Sequence, residues 1–448
     1  MGHKRMSLSV SMIVKNEEKH LPRCLASLQG LADEIVLVDT GSTDSTVAIA
    51  TEFGAKVFHH VWADDFAKAR NASLAHCTGD WILVVDADEA IDPVDHTGLR
   101  SLLADHGPAA FRMRCRNYVT SATQTILDAT PVRNTSPYAT GREFAYYVDY
   151  VIHTRLFRRL PDVQFSGRIH EVVDPYFESR GLPIGISPAI LHHFGKLDLE
   201  RESSKKDFYL GLCEKEARLH PNNHLNLLNL IIQSKTAQKW SLCLRSVEKF
   251  VSIRENVPPL VFMAAATSQF HLGDTPAAAS WLEKALSVDA SHTEALTLKA
   301  RCLAAERRLE EACFCLERAI AIQPSYVVPH INLAEIKVME GKPQEAREAL
   351  LRGIGENPKE EILYTKLVLL DCHQGHRYQA ASSAARALSA LPSGGDGLWH
   401  RLVVAHLLES GDFEGASAIV ELGTQAFPKN PTLVRLKAIC AAQTSPAR

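Results

Sequence analysis

Two aspartates separated by a single residue, Asp86 and Asp88, follow the apolar run at residues 81–85. A short apolar run bounded by polar residues predicts a buried strand. In open α/β sheets, ligands bind at the carboxyl ends of the strands, and two carboxylates there repel each other unless a cation or a hydroxyl-rich ligand joins them. Such a pair could bind a hard divalent ion whose remaining ligands are the phosphates of a substrate. An acidic turn after a buried strand is the alternative.

A third aspartate, Asp39, ends the apolar segment at residues 34–38 and precedes Thr-Gly-Ser-Thr-Asp-Ser at 40–45. A carboxylate at a strand end can accept a hydrogen bond from a ribose hydroxyl or a base N–H. The Gly/Ser/Thr run leads into a helix, whose first N–H groups favour an anion. We therefore expect Asp39 to face the same ligand as the aspartate pair, although a simple helix-capping turn is the alternative for this run.

The elements that would position these aspartates alternate between strands and helices before residue 200. This alternation predicts an α/β fold with a mainly parallel sheet and helices on both faces. Residues 117–165 have little periodicity, and we interpret them as a long loop or short hairpins over the sheet edge. The pattern predicts strands at 9–14, 34–38, 55–58 and 81–85, and helices at 17–29, 45–53 and 67–76.

Beyond about residue 200 the strand signals fade and a repeat begins. Small residues recur five and twelve positions after each of a series of turn residues: Gly273, Arg307, Gly341, Gly375 and, after a slightly longer interval, Gly411. A proline follows seventeen positions after the last four, at Pro324, Pro358, Pro392 and Pro428. A period of 34 residues with this spacing is typical of the tetratricopeptide repeat. It predicts an all-α solenoid of five or six repeats, with a further helical pair at 199–251.

Composition limits the class of protein. The chain has 448 residues with 49 Lys+Arg against 52 Asp+Glu, so its bulk charge does not favour nucleic acid. No apolar run reaches the roughly 18 residues that a membrane helix needs, and the N-terminus lacks the apolar stretch of a secretory signal. The ten cysteines have no C-x-x-C spacing, which indicates reduced thiols. We expect a cytoplasmic protein without a transmembrane segment and with two domains, 1–200 and 201–448.

Four segments in this order resemble the family 2 glycosyltransferases, whose nucleotide-sugar-binding domain has the Rossmann-like A-type fold. They are SMIVKNEE (11–18), EIVLVDTGSTDST (34–46), DDFAKARNASL (64–74) and GDWILVVDADE (79–89). Such a domain followed by tetratricopeptide repeats is similar to a bacterial subgroup that includes the sublancin-type peptide glycosyltransferase. The resemblance implies transfer of a sugar from a nucleotide donor, which we expect to be a UDP-sugar.

The resemblance also implies a role for each matching residue. Asp39 would contact the base or ribose, and Arg70 would be a basic residue on the nucleotide side. For Arg70, an exposed ion pair with Asp64 or Asp65 is the alternative. Asp86 and Asp88 match the metal motif of the family, in which the last aspartate contacts the ion. That ion, Mn²⁺ or Mg²⁺, would neutralise the diphosphate leaving group.

Inverting members of the family also need a carboxylate that takes the proton of the acceptor. The segment Gly-Arg-Ile-His-Glu at 167–171 is similar to a Gly-x-Ile-His-Glu segment of the subgroup, so we expect Glu171 to be the general base. Asp149 and Asp174 are rivals for this role. A histidine near this position completes the metal or diphosphate site in some A-type transferases, and His193, which precedes Phe-Gly, is the better match, so the resemblance implies that, together with Asp88, it is a metal ligand. Because adjacent strand residues point to opposite faces, the histidine before it cannot reach the same site.

The repeats lead to the predictions about partners. A tetratricopeptide surface suits an extended peptide or a helix, so we expect a peptide or protein acceptor held near the transferase site. Two other roles of the repeats remain open: they could form a homodimer, or they could simply stabilise the protein. A saccharide or lipid-linked envelope glycan as acceptor, and a non-catalytic scaffold that binds a nucleotide-sugar, also remain open. A nucleotidyltransferase would need a glycine-rich loop where this chain has SMIVKNEE.

Overall fold

The computed structural model describes residues 5–104, 107–391 and 397–444. Its contacts form two compact units, one made of the residues up to 120 together with 124–288, and the other of 121–123 together with the residues from 289 onwards. The secondary structure changes from mixed to all-helical between His193 and Leu199. The division into domains at 1–200 and 201–448 stays a prediction.

Among the described residues, nine strands form one sheet in the first unit: β1 (Leu8–Val14), β2 (Glu34–Asp39), β3 (Lys56–His59), β4 (Trp81–Val84), β5 (Glu89–Ile91), β6 (Ala110–Val119), β7 (Val132–Arg133), β8 (Tyr146–Arg158) and β9 (Ile184–His193). The strand order is β3-β2-β1-β4-β8-β6-β9-β5, and β7 pairs with β8. The first four strands are parallel. The second half is mixed, since β8 is antiparallel to both its neighbours and β5 is antiparallel to β9. The predicted α/β class is confirmed.

Helices cover both faces of this sheet, because its central strands are apolar on both sides. Residues of α1 (Leu21–Ser27), α2 (Thr46–Glu52) and α4 (His96–Leu103) pack against one face. Residues of α3 (Phe66–His76) and α5 (Asp174–Glu178) pack against the other. Every element predicted up to residue 85 is present. Helix α1 is shorter than predicted, because Asn16 has a positive φ of 55° and the helix has a proline in its first turn, where proline is favoured.

The interpretation of residues 117–165 as a long loop or edge hairpins is wrong for β8, but it holds for residues 120–145, where the two-residue β7 is the one strand. β8 is 13 residues long and lies between β4 and β6 in the middle of the sheet. Charged residues that pair across the sheet break the apolar alternation, as when Arg116 of β6 donates two hydrogen bonds to Asp149 of β8 (2.9 and 2.8 Å). The register between β6 and β8 also shifts twice near Arg112, and such bulges interrupt the period-two pattern.

All the described residues from Leu199 onwards that have regular structure are helical. In the first unit, α6 (Leu199–Leu219) precedes two antiparallel pairs, α7 (His224–Thr236) with α8 (Trp240–Ile253), and α9 (Pro259–His271) with α10 (Thr275–Val288). The second unit contains four more pairs and a last helix: α11 (Thr293–Ala305), α12 (Leu309–Ile322), α13 (Val327–Met339), α14 (Pro343–Glu356), α15 (Glu361–His373), α16 (Arg377–Ala390), α17 (Leu398–Ser410), α18 (Phe413–Ala426) and α19 (Pro431–Thr444). No helix in these described ranges has the length and hydropathy that crossing a bilayer requires.

The repeat positions found in the sequence are the turns inside these pairs. All have a positive φ: Gly273 (87°), Arg307 (63°), Gly341 (73°), Gly375 (71°) and Gly411 (81°). Glycine is favoured there because left-handed backbone crowds a Cβ. Gln238 (φ 57°) has the same place between α7 and α8, and it marks a sixth repeat that a search for glycine misses. Pro392, one of the repeat prolines, lies outside the described residues.

The small residues twelve positions after the turns lie where helices approach closely. A Cβ added to Gly353 would lie 3.1 Å from the Cβ of His330, and one added to Gly423 would lie 3.0 Å from His400. Larger side chains would force the helices of a pair apart. The small-residue spacing therefore reflects helix packing.

The left-handed turn at Arg307 gives a stability prediction. Arg307 is exposed and has a φ of 63°, a conformation that costs a non-glycine residue about 1 kcal/mol or more. We expect Arg307→Gly to raise the free energy of unfolding by up to about 1 kcal/mol, measured by urea denaturation. Glu348→Gly, in the exposed middle of α14, is the matched control and should lower it by about 1 kcal/mol. Equal destabilisation by both variants would contradict the assignment.

Candidate active site

The loops that follow β1 and β2 are joined by hydrogen bonds. Asn16 accepts a hydrogen bond from the N–H of Thr43 through Oδ1 (2.8 Å), and its own N–H donates to the hydroxyl of Ser42 (2.9 Å). Both loops lie at the carboxyl ends of adjacent parallel strands. The segment SMIVKNEE therefore fixes the loop that begins at Asp39.

Asp39 lies at the end of β2 and is 4% exposed. Its carboxylate accepts hydrogen bonds from the N–H groups of Gly41 (3.1 Å) and Ser42 (3.0 Å), and His59 Nδ1 lies 3.3 Å from it. Burial works to raise the pKa of Asp39, but the hydrogen bonds from Ser42 and Gly41 outweigh it and lower the pKa. Asp39 is thus an ionised acceptor that also shapes its own loop.

Asp86 follows β4 directly and lies between two arginines. Arg70 of α3 and Arg155 of β8 each donate a hydrogen bond to one of its oxygens, at 3.0 Å for Arg155. Glu89 accepts from the N–H of Asp86 (2.8 Å) and from Arg155 (3.2 Å). Burial works to raise the pKa of Asp86, but the two guanidinium groups hold it well below its ordinary value. Burial raises the pKa of Glu89, which is 3% exposed.

Arg70 connects Asp86 to Glu171. Its side chain is almost fully buried, and its Nε donates to Glu171 Oε1 (2.9 Å). Within the described residues, no ion pair joins Arg70 to Asp64 or Asp65, so the exposed pair expected as the alternative is not formed. The buried Nη1 of Arg70 has no hydrogen-bond partner in the described part of the chain. A buried guanidinium donor without a partner is costly, and an oxygen of a ligand would satisfy it.

The three carboxylates considered as the base have different partners. Glu171 shares Arg70 with Asp86. Asp149 is held by two hydrogen bonds from Arg116. Asp174 is bound by Nε of Arg112 (2.8 Å) and by a backbone N–H (3.0 Å), and its side chain is 8% exposed. Of these three, Glu171 is the one in contact with the cluster around Asp86.

Asp88 and His193 lie side by side, because β5 pairs with the end of β9. Asp88 Oδ1 is 3.6 Å from His193 Nε2. On the other side of the ring, Nδ1 is 2.6 Å from Oδ1 of Asn117, so Nδ1 carries a proton and Nε2 is the ring nitrogen that faces Asp88. His192 points to the opposite face, as expected for adjacent strand residues, and its Nδ1 lies 2.7 Å from the hydroxyl of Tyr118.

Asp88 and His193 are two side chains of types that can bind a metal ion, and Gly195 lies beside both. A Cβ on Gly195 would lie 2.5 Å from Asp88 Oδ2 and 2.7 Å from His193 Nε2, so glycine leaves space at both atoms. Burial works to lower the pKa of His193, but the carboxylate of Asp88 outweighs it and raises the pKa. In the described ranges, no three His, Cys, Asp or Glu side chains are arranged as a metal site. A hard divalent ion at this pair would therefore need its remaining oxygen ligands from phosphates and water.

A cavity of about 200 Å³ adjoins this pair. It is too small for a whole nucleotide-sugar, since sites for drug-sized ligands occupy about 300–1,000 Å³. Besides Asp88 and Glu89, the cavity is lined by basic and aromatic residues and a few others: Lys19, His20, Arg23, Phe144, Phe194, Leu197 and Asp198.

Sequence reasoning missed three residues of this cluster. Arg155 and Asn117 belong to β8 and β6, at residues assigned to loops or hairpins, so nothing placed them next to the aspartates. Glu89 directly follows the Asp-Ala-Asp motif, and the apolar residues after it were the available signal for the buried strand β5.

Comparison with known proteins gives two family matches. Residues 9–160 match Glycosyl transferase family 2, and residues 293–326 match Tetratricopeptide repeat. A TPR repeat-containing protein of Synechococcus elongatus is 35% identical over 257 residues, which cover 54% of this chain and 57% of that protein. The prophage-derived glycosyltransferase SunS of Bacillus subtilis is 28% identical over 221 residues, 48% of this chain and 46% of that one.

Shorter or more distant similarities are also found. An uncharacterized glycosyltransferase of Rickettsia felis is 35% identical over 99 residues, 22% of this chain and 35% of that protein. The crystal structure of the C-terminal part of a TPR repeat-containing protein of Cytophaga hutchinsonii has a TM-score of 0.43 and 11% identity, over 53% of this chain and 97% of that one. This chain spans between 35% and 57% of the length of the three curated relatives.

The two family matches agree with the sheet, the strand-end carboxylates and the repeated helical pairs. Residues 9–160 of this chain are thus a domain of the type described by Glycosyl transferase family 2, and a tetratricopeptide repeat follows at 293–326.

Proposed function

We propose that the chain is a metal-dependent inverting glycosyltransferase that moves a sugar from a UDP-linked donor to a peptide or protein acceptor. The single observation that carries the proposal is the buried guanidinium of Arg70, which joins Asp86 to Glu171 beside the Asp88–His193 pair. The cluster supports the proposal because it contains both the acidic motif at the end of β4 and the carboxylate that we propose as the base.

The strand order supports the location of the donor. β2 and β4 flank β1, so Asp39 and Asp86 end strands that are two strand spacings, or about 10 Å, apart. In this proposal Asp39 accepts a hydrogen bond from the ribose or the base, and the diphosphate extends towards Asp86 and Asp88. The unpaired Nη1 of Arg70 is a donor for an anionic oxygen of that ligand.

Charge supports a divalent cation. Around Asp86, four carboxyl groups (Asp86, Asp88, Glu89 and Glu171) meet two guanidinium groups (Arg70 and Arg155). Lys19 and Arg23 line the adjoining cavity, and a divalent cation would add the further positive charge that favours a diphosphate beside these carboxyl groups. Asp88 and His193 would hold the Mn²⁺ or Mg²⁺, which neutralises the leaving group.

The residues of the chain have distinct roles in the proposed transfer. Glu171 takes the proton of the acceptor group as that group forms a bond to the anomeric carbon. The bond from that carbon to the diphosphate breaks on the opposite face, which inverts the configuration. Arg70 orients Glu171 by charge-assisted hydrogen bonding. A base must lie within hydrogen-bond reach of the proton that it takes, so fixing its position is essential.

The nature of the acceptor rests on the repeats and on the resemblance to the peptide glycosyltransferase subgroup. A saccharide or lipid-linked envelope glycan is the second candidate acceptor. We propose a cytoplasmic location and leave a homodimer through the repeats as an alternative use of the helical region. A scaffold that binds a nucleotide-sugar without turnover is the opposing function, and it has no need for a positioned base.

The proposed metal ligands Asp88 and His193 provide the first test. We expect Asp88→Ala and His193→Ala to reduce Mn²⁺-dependent release of UDP from UDP-sugars at least about hundredfold, because the leaving group loses its counter-ion. UDP release is measured across a panel of UDP-sugars, with Asp207→Ala on the exposed surface of α6 as the control. A wild-type protein that binds UDP but releases none with any metal, donor or peptide would establish the scaffold function instead.

Gly195 provides a second test that does not need turnover. We expect Gly195→Ala to weaken Mn²⁺ binding at least about tenfold in a calorimetric titration with UDP, because the added Cβ would occupy the space between the two ligands. Gly98→Ala is the matched control, since a Cβ at this helical glycine meets open space. Unchanged Mn²⁺ affinity in Gly195→Ala would contradict the assigned metal position.

The stability that is lost when Arg155 is removed should depend on pH. Asp86 has a lowered pKa in the folded chain, so its pairing stabilises the fold above the ordinary carboxyl pKa and this contribution is lost as the pH falls. We expect Arg155→Met to lower the free energy of unfolding by about 3 kcal/mol at pH 7 and by less below about pH 4, where Asp86 of the variant gains a proton. Urea unfolding at several pH values measures this, with exposed Arg180→Met as the control. A deficit that is constant with pH would refute the pairing.

A further inference from the structure

The loop that carries Glu171 is compact and strained. The N–H groups and carbonyls of Ser166 and Val172 bond to each other reciprocally, both at 2.9 Å, and close the loop. Inside it, Gly167 has a φ of 96° and His170 a φ of 51°. A non-glycine residue in left-handed backbone costs about 1 kcal/mol or more and persists when its surroundings fix it. The contacts of the loop therefore decide where Glu171 lies.

Helix α3 holds one side of this loop. Asn71 makes two hydrogen bonds to the backbone of Phe165, donating to its carbonyl (3.0 Å) and accepting from its N–H (2.7 Å). The N–H of Phe66 donates to the carbonyl of Arg168 (2.9 Å). Arg70, on the same helix, bonds to Glu171 itself. These contacts belong to the transferase domain.

Helix α6 holds the other side. Nε of Arg168 donates to Oε1 of Glu216 at 2.8 Å, and the two side chains are 23% and 12% exposed. Ile169, 4% exposed, packs in an apolar cluster with Leu210 and Cys213 of α6. An ion pair this well covered, with an apolar anchor beside it, fixes the loop more firmly than a surface pair does.

Helix α7 also contacts this loop, both at the backbone of Ile169 and at the side chain of His170, which precedes Glu171. Leu230 lies in the same apolar cluster as Ile169. Nε2 of Gln233 is 3.1 Å from Nε2 of His170, and Asn229 donates to the carbonyl of Ile169 at 3.5 Å. His170, which has the positive φ, is thus in contact with α7.

We propose that α6 and α7 clamp the loop at residues 165–172 and thereby position Glu171, so that these helices are a working part of the transferase. The inference rests on the proposed function of Glu171. Residues 9–160 match the transferase family, whereas Glu216, Asn229 and Gln233 lie beyond that match. Arg168, Ile169 and Glu216 are positioning residues, since each acts through the loop.

The test is a double-mutant cycle in the full chain. We expect Arg168→Ala and Glu216→Ala each to lower kcat by between about tenfold and hundredfold, with the KM for the UDP-sugar unchanged. The double variant should be no worse than Arg168→Ala, since both single variants remove the Arg168–Glu216 pair and Arg168→Ala also removes the hydrogen bond to the carbonyl of Asp64 (3.1 Å). The pair Arg168→Glu with Glu216→Arg should recover part of the kcat. Glu214→Ala is the matched control, because Glu214 lies on the same helix and pairs with Arg218.

Hydrogen exchange separates the clamp from the transferase proposal. The amides of Ser166 and Val172 should exchange faster in Arg168→Ala and Glu216→Ala than in Glu214→Ala, whether or not the protein turns over a donor. Faster exchange without wild-type turnover would retain the clamp and reject the proposed function. Unchanged exchange, or a fall in kcat matched by an equal rise in the KM for the donor, would overturn the clamp.

Discussion

A buried guanidinium group shared by two carboxylates determines how the site must be built. Arg70 bonds to Asp86, sixteen residues further along the chain, and to Glu171, 101 residues further along. Removing one partner of a buried ion pair costs about 3–5 kcal/mol, so neither carboxylate can leave without a large penalty. The end of β4, helix α3 and the loop at residues 165–172 are therefore one mechanical unit. This constraint brings the carboxylate of Asp86, at a strand end, and the carboxylate of Glu171, in a distant loop, to the same guanidinium group.

The electrostatic design around that unit is asymmetric. Asp86 is neutralised by two arginines and is a structural anchor, whereas Asp88, two residues later, faces His193 and the glycine beside it. In the proposed site, the first aspartate therefore anchors the turn, and the second would bind the cation. Both aspartates lie in the turn between β4 and β5, and one residue separates them. This spacing gives the two side chains different neighbours and therefore different roles.

The sequence predicted the parts of this arrangement that depend on local pattern. The elements up to residue 85, the strand-end positions of Asp39 and Asp86, and the helical turns at glycine follow from periodicity of two, 3.6 and 34 residues. β8 escaped prediction because its charged residues pair across the sheet, as Asp149 does with Arg116. Arg155 was missed with it. The turn at Gln238 was missed because a left-handed residue other than glycine has no sequence signal.

A crystal structure of the full chain with Mn²⁺ and UDP tests the central claim most directly, namely that the strand-end aspartates, Arg70 and Glu171 serve one cation-bound diphosphate. The account predicts the ion on Asp88 and His193, a diphosphate oxygen at Nη1 of Arg70, and the nucleoside beside Asp39. An ion or a diphosphate bound away from Asp88, with Arg70 still lacking a ligand, would contradict it.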